Sequence, residues 1–161
     1  MAVITNYTDV VSLDEAKLFL RIDEDICESD AEIIVMINAA SELIEGYTQT
    51  YLKPQTKAYY FNYKGVIRVY ANPINSITET EGFTVEQKQL YSNYCQTDPT
   101  VLSLEANIGF TDTALVKDIF RYAIQETVKL WFYGSETETV MKGYIPSSVM
   151  SILASERRFI F

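Results

Sequence analysis

The sequence predicts a mainly α chain with a β insertion (an α+β fold). About four helices form a bundle that carries a small antiparallel sheet between the second and third helices. Three features point there. Apolar residues recur at helical spacing over residues 12–53 and again over 112–158. The intervening residues 57–110 are rich in Tyr, Val, Ile and Thr, with turn-forming pairs between short runs. Capping residues stand where the helical periodicity begins.

Ser12-Leu13-Asp14-Glu15 is a capping box, in which the Ser12 hydroxyl accepts from the third helical N–H and Glu15 reaches back. Leu13, Ala16, Phe19 and Leu20 then share one face, and this helix is expected to end near Arg21-Ile22. An acidic link from Asp23 to Glu28 leads to a second box, Ser29-Asp30-Ala31-Glu32. It opens a longer helix with Ile33, Ile37, Ala40, Ile44 and Tyr47 in one stripe, expected to end at Lys53-Pro54. Strands are expected over Lys57–Tyr63, Val66–Tyr70, Ser76–Thr80 and Val101–Ile108. Lys64-Gly65, Asn72-Pro73, Glu81-Gly82 and Asp98-Pro99 read as turns, and 83–94 is ambiguous, with a hairpin as one option. Leu102, Leu104 and Ala106 alternate with Ser103, Glu105 and Asn107, as in a half-buried strand. Asp112-Thr113 is a cap for a helix from Ala114 to Tyr133, apolar around much of its circumference and so expected to be the most buried. Gly134 ends it. After a polar loop, Pro146 suits the first position of a short last helix with Val149, Ile152 and Leu153 inward.

Composition narrows the function. With 48% apolar residues, 12 Tyr and 8 Phe, the 161-residue chain can build a real core in one domain, with room for an elaborated insertion, and disorder is not the default reading. Tyr suits surfaces that become interfaces, although such rings also finish cores. Twenty-two acidic against 13 basic residues give a net charge of −9, a poor overall match to a nucleic-acid backbone. An acidic surface can still line a passage that DNA traverses without sticking. There is no His, which removes the commonest general base and neutral metal ligand. Cys27 and Cys95 form no CxxC and read as structural thiols in a reduced cytosolic setting. Residues 1–12 lack a basic start and a long apolar run, and the run around Ile33–Ile37 is far too short to span a bilayer. No membrane partner is expected.

The chemistry-bearing motifs are missing. Asp23, Asp25 and Asp30 suggest a calcium loop, but its fifth place is Cys27, its sixth is Glu28 rather than Gly, and its twelfth is Ile34 rather than Glu. Acids leading into helix N-termini explain those charges. No Ser-x-x-Lys, P-loop or GxGxxG occurs, and no carboxylate pair is singled out for hydrolysis. No catalytic, metal-binding or cofactor-binding residue is therefore assigned.

Charge is divided unevenly. Ser12 to Glu32 holds eight acids against Lys17 and Arg21, whereas Gly46 to Thr78 holds no acid but Lys53, Lys57, Lys64 and Arg68 among six tyrosines. Such a basic, aromatic stretch can bind single-stranded nucleic acid, can meet an acidic protein surface, or can be an ordinary solvated sheet. An acidic face and a basic face together suit a head-to-tail ring contact. The candidate interface is then Asp23, Glu24, Asp25 and Glu28 against Lys57, Tyr59, Lys64 and Arg68. The segment Arg157, Arg158, Phe159, Ile160 and Phe161 is basic, then apolar, and is expected to fold back or to dock on a partner.

The order of parts resembles the head–tail connector (adaptor, head-completion) family of long-tailed bacteriophages. Ser12-Leu13-Asp14-Glu15-Ala16-Lys17-Leu18-Phe19-Leu20-Arg21-Ile22-Asp23 is similar to the family's opening. Ala39-Ala40 with Ile44-Glu45-Gly46-Tyr47-Thr48, Asn72-Pro73-Ile74-Asn75-Ser76-Ile77, Ala106-Asn107-Ile108-Gly109-Phe110, Ala123 through Tyr133 and Ile145 to Arg157 follow in the family's order. The resemblance implies a structural subunit of a ring, commonly a dodecamer, at the head–tail junction of a virion. Its neighbours would be the portal protein and the next connector or tail-completion protein. DNA would pass through the lumen without sequence-specific binding, and neither catalysis nor a cofactor is implied. Residues 157–161 would be the portal-docking tail. A nucleic-acid-binding module acting in DNA packaging is the alternative.

Overall fold

A computed structural model describes residues 3–60, 66–69, 71–78, 83–88, 92–97, 103–134 and 144–157, with backbone alone at 60, 66–69, 83–88, 92–97 and 103–104. Four helices are seen among them: α1 (Leu13–Leu20), α2 (Asp30–Thr48), α3 (Asp118–Tyr133) and α4 (Ser147–Leu153). Among the same residues six strands are seen: β1 (Gln55–Tyr60), β2 (Val66–Val69), β3 (Ile74–Thr78), β4 (Phe83–Lys88), β5 (Ser92–Thr97) and β6 (Ser103–Ile108). The expected helix bundle with an antiparallel β insertion between α2 and α3 is present. The insertion comprises two three-stranded sheets, β1-β6-β3 and β2-β5-β4, each antiparallel throughout. The ambiguous 83–94 region contributes β4 and the first half of β5, which pair from Phe83↔Thr97 to Lys88↔Ser92. The turns expected at Lys64-Gly65, Glu81-Gly82 and Asp98-Pro99 lie outside the described residues.

The bundle forms for the reasons its sequence suggests. Ser12 accepts from Glu15 N at 3.2 Å while the Glu15 carboxylate accepts from Ser12 N at 2.8 Å, so both halves of the first box exist. Ile33, Ile37, Ala40 and Ile44 of α2 are fully buried against Phe120, Ala123, Ile124 and Val128 of α3, with Val149 and Leu153 of α4 and Ile4, Val10 and Val11 of the N-terminal segment closing the core. Each such Val, Leu, Ile or Phe side chain contributes about 1.5–3 kcal/mol relative to exposure.

Four details differ from expectation. The second capping box does not form, because Ser29 has a backbone of φ −103°, ψ 4° rather than an extended one, and its side chain caps nothing. α2 stops at Thr48, with Gln49 left-handed at φ 57°, because the chain turns there toward the sheet. Asp112 caps a separate one-turn 3-10 segment, Thr113–Leu115, and extended residues at Val116 and Lys117 delay α3 to Asp118. α3 is one-sided rather than apolar all round, with Tyr122 46% and Tyr133 57% exposed.

Bundle and sheet meet at a polar joint. The buried Glu45 carboxylate accepts from Tyr7 Oη at 3.0 Å and from Leu52 N at 2.6 Å, linking the N-terminal segment, α2 and the entry to β1. Burial is the main reason the Glu45 carboxyl lies above its ordinary range, and burial with the Glu45 charge raises the Tyr7 hydroxyl. Gly109, just past β6, has φ +99°, and a Cβ there would stand 2.0 Å from Lys53 O. The close approach lets Gly109 N reach Pro73 O at 3.0 Å, Phe110 N reach Tyr51 O at 3.2 Å and Tyr51 N reach Asn72 O at 2.7 Å.

Candidate functional site: the surfaces available for assembly

The acidic link between α1 and α2 is a held structure. Lys17, only 2% exposed, places its ammonium 2.7 Å from Glu24 O and 3.1 Å from Asp30 Oδ1. Ile26 N bonds Asp23 O at 3.0 Å and Asp30 N bonds Cys27 O at 3.3 Å, closing two turns. Asp23, Glu24, Asp25 and Glu28 are all exposed. Lys17, the cation buried against the loop, is taken by a carbonyl and by Asp30. Between them Ile26 is 47% exposed, so the loop presents an apolar side chain ringed by carboxylates. Sequence periodicity missed Lys17, whose position on the buried side of α1 reads as an ordinary solvated lysine.

The basic counterpart is arranged differently. Lys57 on β1 donates to Tyr51 Oη at 3.0 Å, and its ammonium lies 5.4 Å and 5.6 Å from the Tyr51 and Tyr59 ring centroids. The Tyr51 hydrogen bond is the main cause of the upward shift of its ammonium, and burial raises the Tyr59 hydroxyl. Lys53 covers the Tyr7 ring at 4.1 Å. The structure thus brings Lys57 and Tyr59 together but engages both described lysines of the stretch within the chain. Lys64 lies outside the described residues, as does the side chain of Arg68.

A third surface was not foreseen. An open groove of about 680 Å³ runs between α1 and α3, lined among others by Leu18, Phe19, Arg21, Gln125, Lys129 and Tyr133. Leu18 is 79% exposed and lies off the apolar stripe of α1, which was its one signal in the sequence. Phe19 meets Tyr122 edge-on at 6.1 Å, and Lys129 stands 5.6 Å over the Phe19 ring and 3.3 Å from Glu126. The Tyr133 hydroxyl donates to Leu20 O, tying the end of α3 to the end of α1. Arg21 terminates α1 in a left-handed conformation at φ 58°, and its side chain is exposed at the rim.

At the other end of the bundle, Arg157 places its guanidinium 4.8 Å from the Tyr47 ring centroid, which locates the start of the expected docking tail beside the end of α2. Arg158, Phe159, Ile160 and Phe161 lie outside the described residues. Among the described residues no group of three or more acidic or Cys side chains is arranged to hold a metal ion, and no helix is long and apolar enough to cross a membrane.

Comparison with known proteins agrees with this architecture. The family described as phage gp6-like head-tail connector protein matches residues 10–155. No curated protein matches the sequence. Among solved structures, a chain from the neck of an empty gene transfer agent (GTA) particle, computed with C6 symmetry, superposes with a TM-score of 0.73 at 14% identity, covering 99% of this chain and 95% of that one. A chain from the virion of a native GTA particle gives 0.71 at 14% identity over 100% and 96%. One from the neck of a native GTA particle computed with C12 symmetry gives 0.69 at 13% identity over 99% and 95%. At these identities the likeness is one of fold.

Proposed function

This chain belongs to the phage gp6-like head-tail connector family, and from that premise we propose that it is a structural ring subunit at the head–tail junction, joining the portal to the next connector or tail-completion protein. The observation that carries the proposal is the family match over residues 10–155, with the same fold recurring end to end in a particle neck. Twelve copies per ring is the number we favour, as the family resemblance implies; necks holding a chain of this fold were computed with C6 and with C12 symmetry, and a twelvefold ring satisfies both. A subunit with net charge −9 suits a lumen through which DNA passes without being held. The work is assembly rather than catalysis. One half of the ring contact is the exposed acidic set Asp23, Glu24, Asp25 and Glu28, and Lys57, Tyr59, Lys64 and Arg68 are one candidate receiver. The tail Arg157 to Phe161 docks on the portal, beginning from its anchored position at Tyr47.

Purified chain mixed with portal-bearing, tailless capsids and imaged by electron microscopy should add a ring at the portal vertex. Deleting 157–161 should abolish that addition while leaving the circular dichroism spectrum unchanged. A chain that never joins a vertex, or that instead binds short single-stranded DNA in a salt-dependent way, overturns the reading in favour of a nucleic-acid module.

A further inference from the structure

We infer that the α1/α3 groove is the receiver for the acidic loop of a neighbouring copy, so that residues 23–28 of one subunit seat between α1 and α3 of the next. The inference rests on the ring proposed above and specifies its contact. Two surfaces of this one chain are complementary in both shape class and charge. The loop offers Ile26, 47% exposed, within a rim of Asp23, Glu24, Asp25 and Glu28. The groove offers apolar side chains at Leu18, 79% exposed, with Phe19 and Tyr133, and the cation of Arg21 at its rim, while Lys129 already pairs with Glu126. Its own acid, Glu15, accepts from Ser12 N at 2.8 Å in the cap of α1. The Arg21 guanidinium has no hydrogen-bond or ion-pair partner among the described residues, and the same holds for the four loop carboxylates.

Placement supports a head-to-tail contact. α1 packs against both α2 and α3. The loop runs from the end of α1 into α2, whereas the groove lies between α1 and α3, and the two adjoin at Arg21. Two unlike patches on one chain repeat as a heterologous contact, which closes into a ring when the rotation permits. Rigidity adds to it. Lys17 holds the loop through Glu24 O and Asp30, and Tyr133 holds the groove through Leu20 O, so neither surface must be ordered on contact. The basic strand is the weaker receiver, because Lys57 would have to leave Tyr51 to serve a neighbour.

Cys27, exposed within the loop, supplies the test. In a Cys95→Ser background, Gln125→Cys puts a thiol in the groove and Thr56→Cys puts one on β1. Each variant is added to portal-bearing capsids, the ring is checked by electron microscopy, and the sample is oxidised and run on a non-reducing gel. A ladder of covalent multimers from the Gln125→Cys chain, absent when Cys27 is also changed to Ser, is the expected result. Rings that form without that ladder, or with a ladder from Thr56→Cys instead, overturn the groove as receiver and leave the ring standing. Rings that do not form even with the unmodified chain overturn the proposed function itself. As a second measurement, Arg21→Glu should weaken ring formation by about tenfold or more, with recovery when Asp25→Arg and Glu28→Arg are combined with it. Unchanged assembly by Arg21→Glu counts against the contact.

Discussion

The helical bundle and the β1-β6-β3 sheet are held together by opposite strategies. In the bundle, more than a dozen aliphatic and aromatic side chains lie below 2% exposure, and each contributes a modest share. In the sheet, Ala106 and Ile108 of β6 are buried, but Thr56, Lys57, Ala58, Asn75 and Ser76 on the outer strands are exposed. One face there carries a polar row, with Thr56 donating to Asn107 Oδ1 at 2.7 Å and Asn107 donating to Ser76 Oγ at 2.9 Å. What ties the sheet to the bundle is a small joint in which single atoms matter: the Glu45 carboxylate and the missing Cβ of Gly109. Damage to the bundle should therefore be graded, and damage to the joint abrupt.

The comparison breaks most sharply at Gly109. Gly109→Ala forces a side chain to within 2.0 Å of Lys53 O at a φ of +99°, so strain and overpacking together should cost about 3 kcal/mol or more. Urea denaturation should show a large fall in midpoint, with hydrogen exchange of the Tyr51, Gly109 and Phe110 amides rising before that of α2. A loss confined to the bundle would contradict the joint.

Glu45 comes next. Glu45→Ala strands the buried Leu52 N–H and Tyr7 hydroxyl and should cost about 2–4 kcal/mol. Its pH signature has a definite sign. Because burial raises the folded carboxyl above its ordinary 4.5, the folded chain holds more protons than the unfolded one between those two values. This contribution is fully present below 4.5 and is lost as pH rises through the raised folded value, and Glu45→Gln should flatten that slope. Asp9, held below its ordinary value chiefly by the Asn6 and Thr5 N–H groups, acts in the opposite sense at lower pH.

The smallest effect belongs to a helix end. Ser12→Ala removes one cap and should cost about 1 kcal/mol, spread over α1 and leaving sheet amides unchanged in exchange. Equal losses in bundle and sheet would mean that the two regions unfold as one unit and that the contrast between them is one of packing alone.

Much of this was legible beforehand because it is local. A capping box, a stripe repeating every three or four residues and a Gly after Tyr133 act within a turn or two of chain. Hence α1, the stripe of α2, the end of α3 and the β character of 57–110 could be read directly, and so could the family's order of motifs. The Ser29 box failed for the same kind of reason in reverse: its residues suit a cap, but Lys17, thirteen positions before Asp30, sets how the chain enters α2.

Residue order alone determined the acidic link, its charge and the apolar faces that make a helical bundle. Only the tertiary structure decided which of those charges remain available. It buried Lys17 under the loop, laid Lys57 against Tyr51, left Arg21 exposed and opened the groove beside Leu18. A pattern along the chain reports which face a residue takes. Whether its charge is already answered depends on atoms distant in sequence, and these meet it only once the chain has folded.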